Sequence, residues 1–239
     1  MKIKITKNSK WVKEFLKKTQ PFEEKIVNGT CFGRMATGKL PIKTYRQVLI
    51  SFFPLVETFP KYMGLLLSKI PPDNTKRNNL ARYWLTQNIN IERHHADWYR
   101  DWCLGIGVPA RTINKEVYPA PEIDAINNYL WRVCTYGSLA EALAALNYAI
   151  EGPTGKWTEK VYKDMGKKYN EKDGVKWTGK SRMWLRAHAH YDDIHPEEVL
   201  ELIKLFATTK EEQKKVLRAT QTSMTYYSMA AEACCTLYE

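Results

Sequence analysis

The 239-residue sequence predicts an all-α fold in a single domain, and three observations predict it. Apolar residues recur at the three- and four-residue spacing of a helix face along most of the chain. No segment keeps the strict alternation of a half-buried strand. Glycine and proline pairs punctuate the periodic stretches, as helix ends and turns require. No internal repeat and no low-complexity linker divides the chain. The expectation is therefore one domain over residues 1–239, with seven to nine helices and enough length for a full core.

The elements follow in order. Pro41 to Ile70 reads as a long amphipathic stretch kinked at Pro54 and Pro60. A second helix is predicted from Asn74 to Leu104, stopping near Gly105 and Gly107. Pro119 and Pro121 mark a loop. Glu122 to Ile150 carries Leu139, Leu143, Ala144, Leu146 and Ile150 at helical spacing, and Gly152–Pro153 marks its end. Another helix is expected from Ser181 to Ile194, with Pro196 opening the next. Thr209 and Glu212 have capping-box spacing for a last helix reaching the C-terminus.

Composition excludes several classes of function. Hydrophobic residues make up 44% and charged residues 26%, which is globular rather than disordered. No apolar run approaches the roughly 18 residues of a membrane span. The basic segment Met1 to Lys10 has no apolar stretch after it, so no signal peptide is expected. Five cysteines (Cys31, Cys103, Cys134, Cys234 and Cys235) are an odd number without CxxC spacing. They predict a reduced, cytoplasmic protein with neither a disulfide framework nor a thiolate zinc site. The net charge of +11 comes from scattered lysines. Without an RNP motif, zinc-finger spacing or an arginine-rich arm, it reads as solvated surface and not as a nucleic-acid interface.

The chemistry-bearing residues are unevenly placed. The five histidines fall in two clusters, His94 and His95, then His188, His190 and His195. At about 100° per residue, His188, Asp192 and His195 share one helix face, and His190 points elsewhere. Glu92 and His95, three apart, share a face that His94 does not. Glu151 closes the mostly apolar run Asn147 to Ile150, where a carboxylate needs a partner or an ion. The set Glu92, His95, Glu151, His188, Asp192 and His195 offers imidazole and carboxylate without thiolate. That donor mixture suits iron or manganese, and in a helical bundle it suits a two-metal site.

Other patterns carry less. Gly152-Pro153-Thr154-Gly155-Lys156 resembles a phosphate loop but lacks the four-residue spacing and the preceding strand, and reads as a turn. Phe52, Phe53, Phe59 and Tyr62 form an aromatic stripe that fits either core or substrate-pocket lining.

Three stretches together resemble the haem-oxygenase-like diiron oxidases: Asn88 to Asp97, Asn147 to Gly155 and His188 to Pro196. The similarity extends to Val56-Glu57-Thr58-Phe59-Pro60 and the Gly105–Val108 turn. The resemblance implies a seven-helix bundle without haem. It implies two Fe(II) per chain held by Glu92, His95, Glu151, His188, Asp192 and His195, the second site weak, with O2 as co-substrate. The nearest branch comprises the bacterial medium-chain fatty-acid decarboxylases that form terminal alkenes. A second branch, the chlamydial protein associating with death domains, makes 4-aminobenzoate from its own tyrosine. Here that tyrosine position falls at Phe32 and the early glutamate ligand at Asn88, which argues against the self-sacrificing route. A third branch oxidises amino acids, with N-oxygenation, C–C cleavage or nitrile formation as outcomes.

The expected partner is thus a small carboxylate-bearing molecule, either a medium-chain fatty acid or an amino acid such as a tryptophan derivative. Its body would lie against Phe52, Phe53 and Leu146. An electron donor and a second copy of the chain are both compatible with this reading. Two rivals share the fold: a metal-free thiaminase-like protein relying on a nucleophilic cysteine, for which Cys134 is the candidate, and a non-enzymatic interaction module.

Overall fold

The computed structural model describes residues 3–115, 120–190 and 195–236, with the backbone alone at His195. Every regular element among them is helical. Helices α1 (Lys10–Val27) and α2 (Thr30–Thr37) precede the first stretch read from the sequence. Helix α3 (Ile42–Ser68) then runs through both Pro54 and Pro60 without interruption. Its buried face holds Tyr45, Val48, Leu49, Phe52, Phe59 and Tyr62. This burial outweighs the hydrogen bonds that the two prolines cannot donate.

The single helix expected from Asn74 to Leu104 is two. Helix α4 (Lys76–Glu92) and helix α5 (His95–Gly105) are separated by Arg93 and His94. Both separating residues keep right-handed helical angles. The His94 N–H donates to the Ile91 carbonyl at 3.0 Å, a tightened i→i−3 turn. The break therefore costs little change of direction. Helix α5 ends where expected, and Gly107 at φ +85° makes the left-handed turn that follows. A single turn, α6 (Ala110–Ile113), leads on to α7 (Pro121–Tyr136).

The expected helix from Glu122 to Ile150 is also divided. Helix α7 stops at Tyr136, and Ser138 caps a new start. The Glu141 N–H donates to the Ser138 hydroxyl and the Glu141 carboxylate takes the Ser138 N–H at 2.9 Å. Helix α8 (Leu139–Leu143) passes directly into a π-helical segment, Ala144–Glu151, and then into α9 (Gly152–Tyr162). Gly152–Pro153 is therefore not a helix end, and the phosphate-loop look-alike is the first turn of α9 rather than a loop turn. Pro153 lacks the N–H that an unbroken α-helix would use. The widened π turn before it absorbs that defect.

A short turn, α10 (Met165–Lys168), precedes α11 (Met183–His190), α12 (His195–Phe206) and α13 (Lys210–Thr236). The Glu212 N–H donates to Thr209 Oγ1 at 3.1 Å, as the capping spacing predicts. Eleven α-helices of five residues or more are present among the described residues, against the seven expected. The breaks at 93–94 and 137–138 divide stretches that the hydrophobic period alone joins, and α1, α2 and α9 lie outside the stretches read from the sequence.

Helix α13 packs against α1, α7 and the π segment, and α11 lies across α9 and α5. Helix α3 bridges α4, α5 and α7. All five cysteines are buried and unbridged. No helix among the described residues is long and apolar enough to cross a membrane.

Candidate functional site

A cavity lies where α2, α3, α5, α9, α11 and α13 converge. Four of the six candidate ligands line it: Glu92, His95, Glu151 and His188. Asp192 and the side chain of His195 lie outside the described residues. The four come from separate elements: the last turn of α4, the first turn of α5, the end of the π segment, and α11. Their exposures are 5%, 2%, 7% and 5%. Carboxylates this deep require compensation by a cation or by strong hydrogen bonds. No lysine or arginine is among the described residues of the cavity wall.

The local contacts are specific. His95 Nδ1 lies 2.7 Å from Glu92 Oε2, so the i,i+3 relation survives the break between α4 and α5. The His95 and His188 rings are 4.7 Å apart, centroid to centroid. His188 Nδ1 is 2.8 Å from the Trp184 carbonyl. A carbonyl only accepts, so Nδ1 carries the proton and the neutral ring keeps its lone pair on Nε2. Asn147 Nδ2 donates to Glu151 Oε1 at 2.5 Å from within the π segment.

The remaining histidines stand apart. His190 is exposed and its ring meets Tyr162 edge-on at 5.3 Å. His94 is half-buried and stacks on Trp98 at 5.9 Å. Neither lines the cavity.

The rest of the wall is largely aromatic. Phe32 stacks on Trp157 at 4.1 Å and 2°, and both line the cavity with Phe52, Phe59 and Tyr227. A hydrogen-bond chain of fixed direction runs along this side. The Trp157 indole N–H donates to Tyr227 Oη at 2.9 Å. Thr154 Oγ1 donates to the Ile150 carbonyl at 2.7 Å, so the Tyr227 hydroxyl donates to Thr154 Oγ1 at 2.9 Å. Burial raises the Tyr227 phenol to about 12, which keeps that proton in place at neutral pH.

Two residues expected against the substrate are not among the described lining residues of this cavity. Phe53 is not among the lining residues: its ring is 6.1 Å from Tyr99, and the Arg100 guanidinium sits 4.7 Å above it. Phe52, one residue earlier and about 100° round α3, is the one of the pair that lines the cavity. Leu146 is fully buried in the π segment and does not reach the cavity. Asn88, the position of the early glutamate in the aminobenzoate branch, is buried and donates to the Trp84 carbonyl at 2.9 Å.

Several wall residues carried no signal in the sequence reading. Trp157, Trp184 and Tyr227 are ordinary core aromatics until the fold brings them together. Trp184 Nε1 is buried without a hydrogen-bond partner. Leaving such a donor unmet costs about 1–3 kcal/mol, so it calls for an explanation.

Comparison with known proteins places this arrangement. A profile described as iron-containing redox enzyme, of haem-oxygenase type, matches residues 46–228. The chain belongs to that haem-oxygenase-like family. It is similar, at 32% identity and a TM-score of 0.85, to a TenA homologue from Pseudomonas syringae pv. tomato, over 95% of this chain and 93% of that one. A domain of unknown function with a haem-oxygenase-like fold from Shewanella denitrificans shares the fold at 17% identity and a TM-score of 0.77, over 97% and 94% of the two chains. A CADD-like protein of unknown function from Nostoc punctiforme does so at 13% and 0.64, over 93% and 99%. No curated protein matches the sequence.

The donor set of this haem-oxygenase-like chain fits a divalent metal chemically. It offers two carboxylates and two imidazoles, buried, with His188 held in the tautomer a ligand needs. Among the described residues, no group of three or more His, Cys, Asp or Glu side chains is gathered around one ion position. Glu92 is turned to His95, and Glu151 to Asn147.

Proposed function

We propose that this chain is an O2-dependent non-haem diiron oxidase that transforms a carboxylate-bearing small molecule. The observation that carries the reading is the His188 imidazole, fixed through Nδ1 to the Trp184 carbonyl beside His95, Glu92 and Glu151 in a cavity whose described wall has no lysine or arginine. A structural histidine needs no such company. A metal-ligating one characteristically has its other nitrogen held in this way.

Glu92, His95, Glu151 and His188 would hold the metal, with Asp192 and His195 completing the set the sequence indicates. When bound, iron supplies dioxygen activation and the redox chemistry that side chains lack. The chain's own residues bind and orient the substrate. Phe32, Phe52 and Phe59 offer an apolar wall and exclude water, and Asn147 fixes one oxygen of Glu151. A medium-chain acyl group and an aromatic amino-acid side chain both gain from such a wall. Fatty-acid decarboxylation and amino-acid oxidation, including nitrile formation, therefore stay paired as substrate classes.

The similarity to a TenA homologue favours one second reading, a metal-free thiaminase-like activity. That chemistry as read here depends on a thiolate in the pocket, and no cysteine is among the described lining residues. Cys134, its candidate, is buried in α7, with its thiol pushed up to about 12.

The test is anaerobic reconstitution with ferrous iron, then oxygen and a mixed pool of fatty acids and amino acids read by mass spectrometry. Consumption of one carboxylate with iron bound is the expected result. A chain that binds no iron and instead cleaves thiamin would overturn the reading.

A further inference from the structure

The donors around the cavity are nearly all committed. His188 Nδ1 is used on the Trp184 carbonyl, Trp157 Nε1 on Tyr227, the Tyr227 hydroxyl on Thr154, and the Thr154 hydroxyl on Ile150. Trp184 Nε1 is not. It belongs to a cavity-wall residue that is 5% exposed, and it has no acceptor. Its ring is immobilised on three sides, stacked on Trp102 at 5.1 Å and 19°, edge-on to Tyr99 at 5.2 Å, and against His188 at 4.0 Å. An N–H held this rigidly cannot turn to find water. The cavity is the space left to supply its acceptor.

We propose that the Trp184 indole N–H is a ligand-binding contact that donates to one carboxylate oxygen of the molecule occupying the cavity. The described wall provides no lysine or arginine for an anion, and the Trp184 N–H is an uncommitted neutral donor in it. An indole N–H only donates, which suits a carboxylate and rejects an ammonium. The Trp184 carbonyl and indole then have separate roles on one residue: the first orients His188, the second holds the ligand beside it. This deepens the function proposed above, on which it rests for the nature of the ligand.

The test uses the full chain without added metal, with 15N-labelled indoles, and decanoate as the probe. Decylamine is the matched cation. Decanoate is expected to shift the Trp184 indole resonance downfield, assigned by its loss in Trp184→Phe, and decylamine to leave it in place. Trp184→Phe is expected to bind decanoate roughly ten- to a hundred-fold more weakly. Should that variant misfold, the shift in the unaltered protein decides alone. An unmoved resonance under bound decanoate, an unchanged affinity in a folded variant, or no decanoate binding at all overturns the proposal. The oxidase reading fails on different readouts, iron content and turnover, so the two failures are distinguishable.

Discussion

His188 Nδ1 and the Trp184 carbonyl, one helical turn apart in α11, lie 2.8 Å from one another. This bond fixes the tautomer of the imidazole and leaves Nε2 as its basic nitrogen. It places a single local interaction at the centre of the proposed metal chemistry.

Removing the cavity histidines should therefore lower iron content. His188→Ala and His95→Ala each delete a buried imidazole, and iron per chain after ferrous reconstitution should drop sharply in both. His190→Ala and His94→Ala lie outside the cavity and should retain the iron of the unaltered protein. Equal losses in His190→Ala and His188→Ala would show that the ligand face is misassigned. Metal analysis on folded protein, checked by circular dichroism, gives the answer.

The thiaminase-like alternative can be separated by thiol chemistry. Burial holds the Cys134 thiol at about 12, and the nearby Lys69 lowers it only in part. The folded protein should resist iodoacetamide at Cys134 at neutral pH, and Cys134→Ser should keep full carboxylate turnover. Rapid alkylation at this position, or loss of turnover with the iron retained, would restore the cysteine to the mechanism.

The aromatic pair on α3 should divide cleanly. Phe53→Ala removes packing against Tyr99 and Arg100 and should cost about 3–5 kcal/mol in denaturant unfolding. Its substrate profile should be unchanged. Phe52→Ala opens the cavity wall and should shift the preferred chain length or ring size of the ligand. A profile altered by Phe53→Ala and not by Phe52→Ala would reverse the placement.

Acid sensitivity should trace in part to Glu201. Burial alone would raise its carboxyl, but Lys204 Nζ at 2.6 Å, with the Thr6 N–H at 2.8 Å and the Thr6 hydroxyl at 2.7 Å, brings it below the ordinary range. A depressed folded-state pKa stabilises fully above the unfolded glutamate value, about 4.3. That stabilisation is lost as pH falls through the folded value. Glu201→Gln should thus lower Tm at neutral pH and flatten the acid limb of the Tm–pH curve. An acid limb as steep in the variant as in the unaltered protein would place the sensitivity in other carboxylates.

By itself, the sequence determined what depends on neighbours along the chain. Hydrophobic period identified the all-α class, because each helix must bury one stripe. The i,i+3 spacing of Glu92 and His95 brought their side chains together even across the break at Arg93 and His94, because the turn stayed right-handed. The Thr209 cap was legible for the same reason. The Ser138 and Glu141 cap was equally legible and marks the break that periodicity alone bridged.

Tertiary structure decided the rest. Whether Phe52 or Phe53 faces the cavity depends on the rotation of α3 against α5 and α13, which no local pattern records. Glu151 reaches the cavity at the end of a π segment that passes into α9 through Pro153, because packing against α12 and α13 offsets the proline's missing hydrogen bond. Trp157, Trp184 and Tyr227 became a wall only when three helices far apart in sequence closed on one another. A side chain's partner in space is set by the sum of many weak contacts, and that sum exists only in the folded chain.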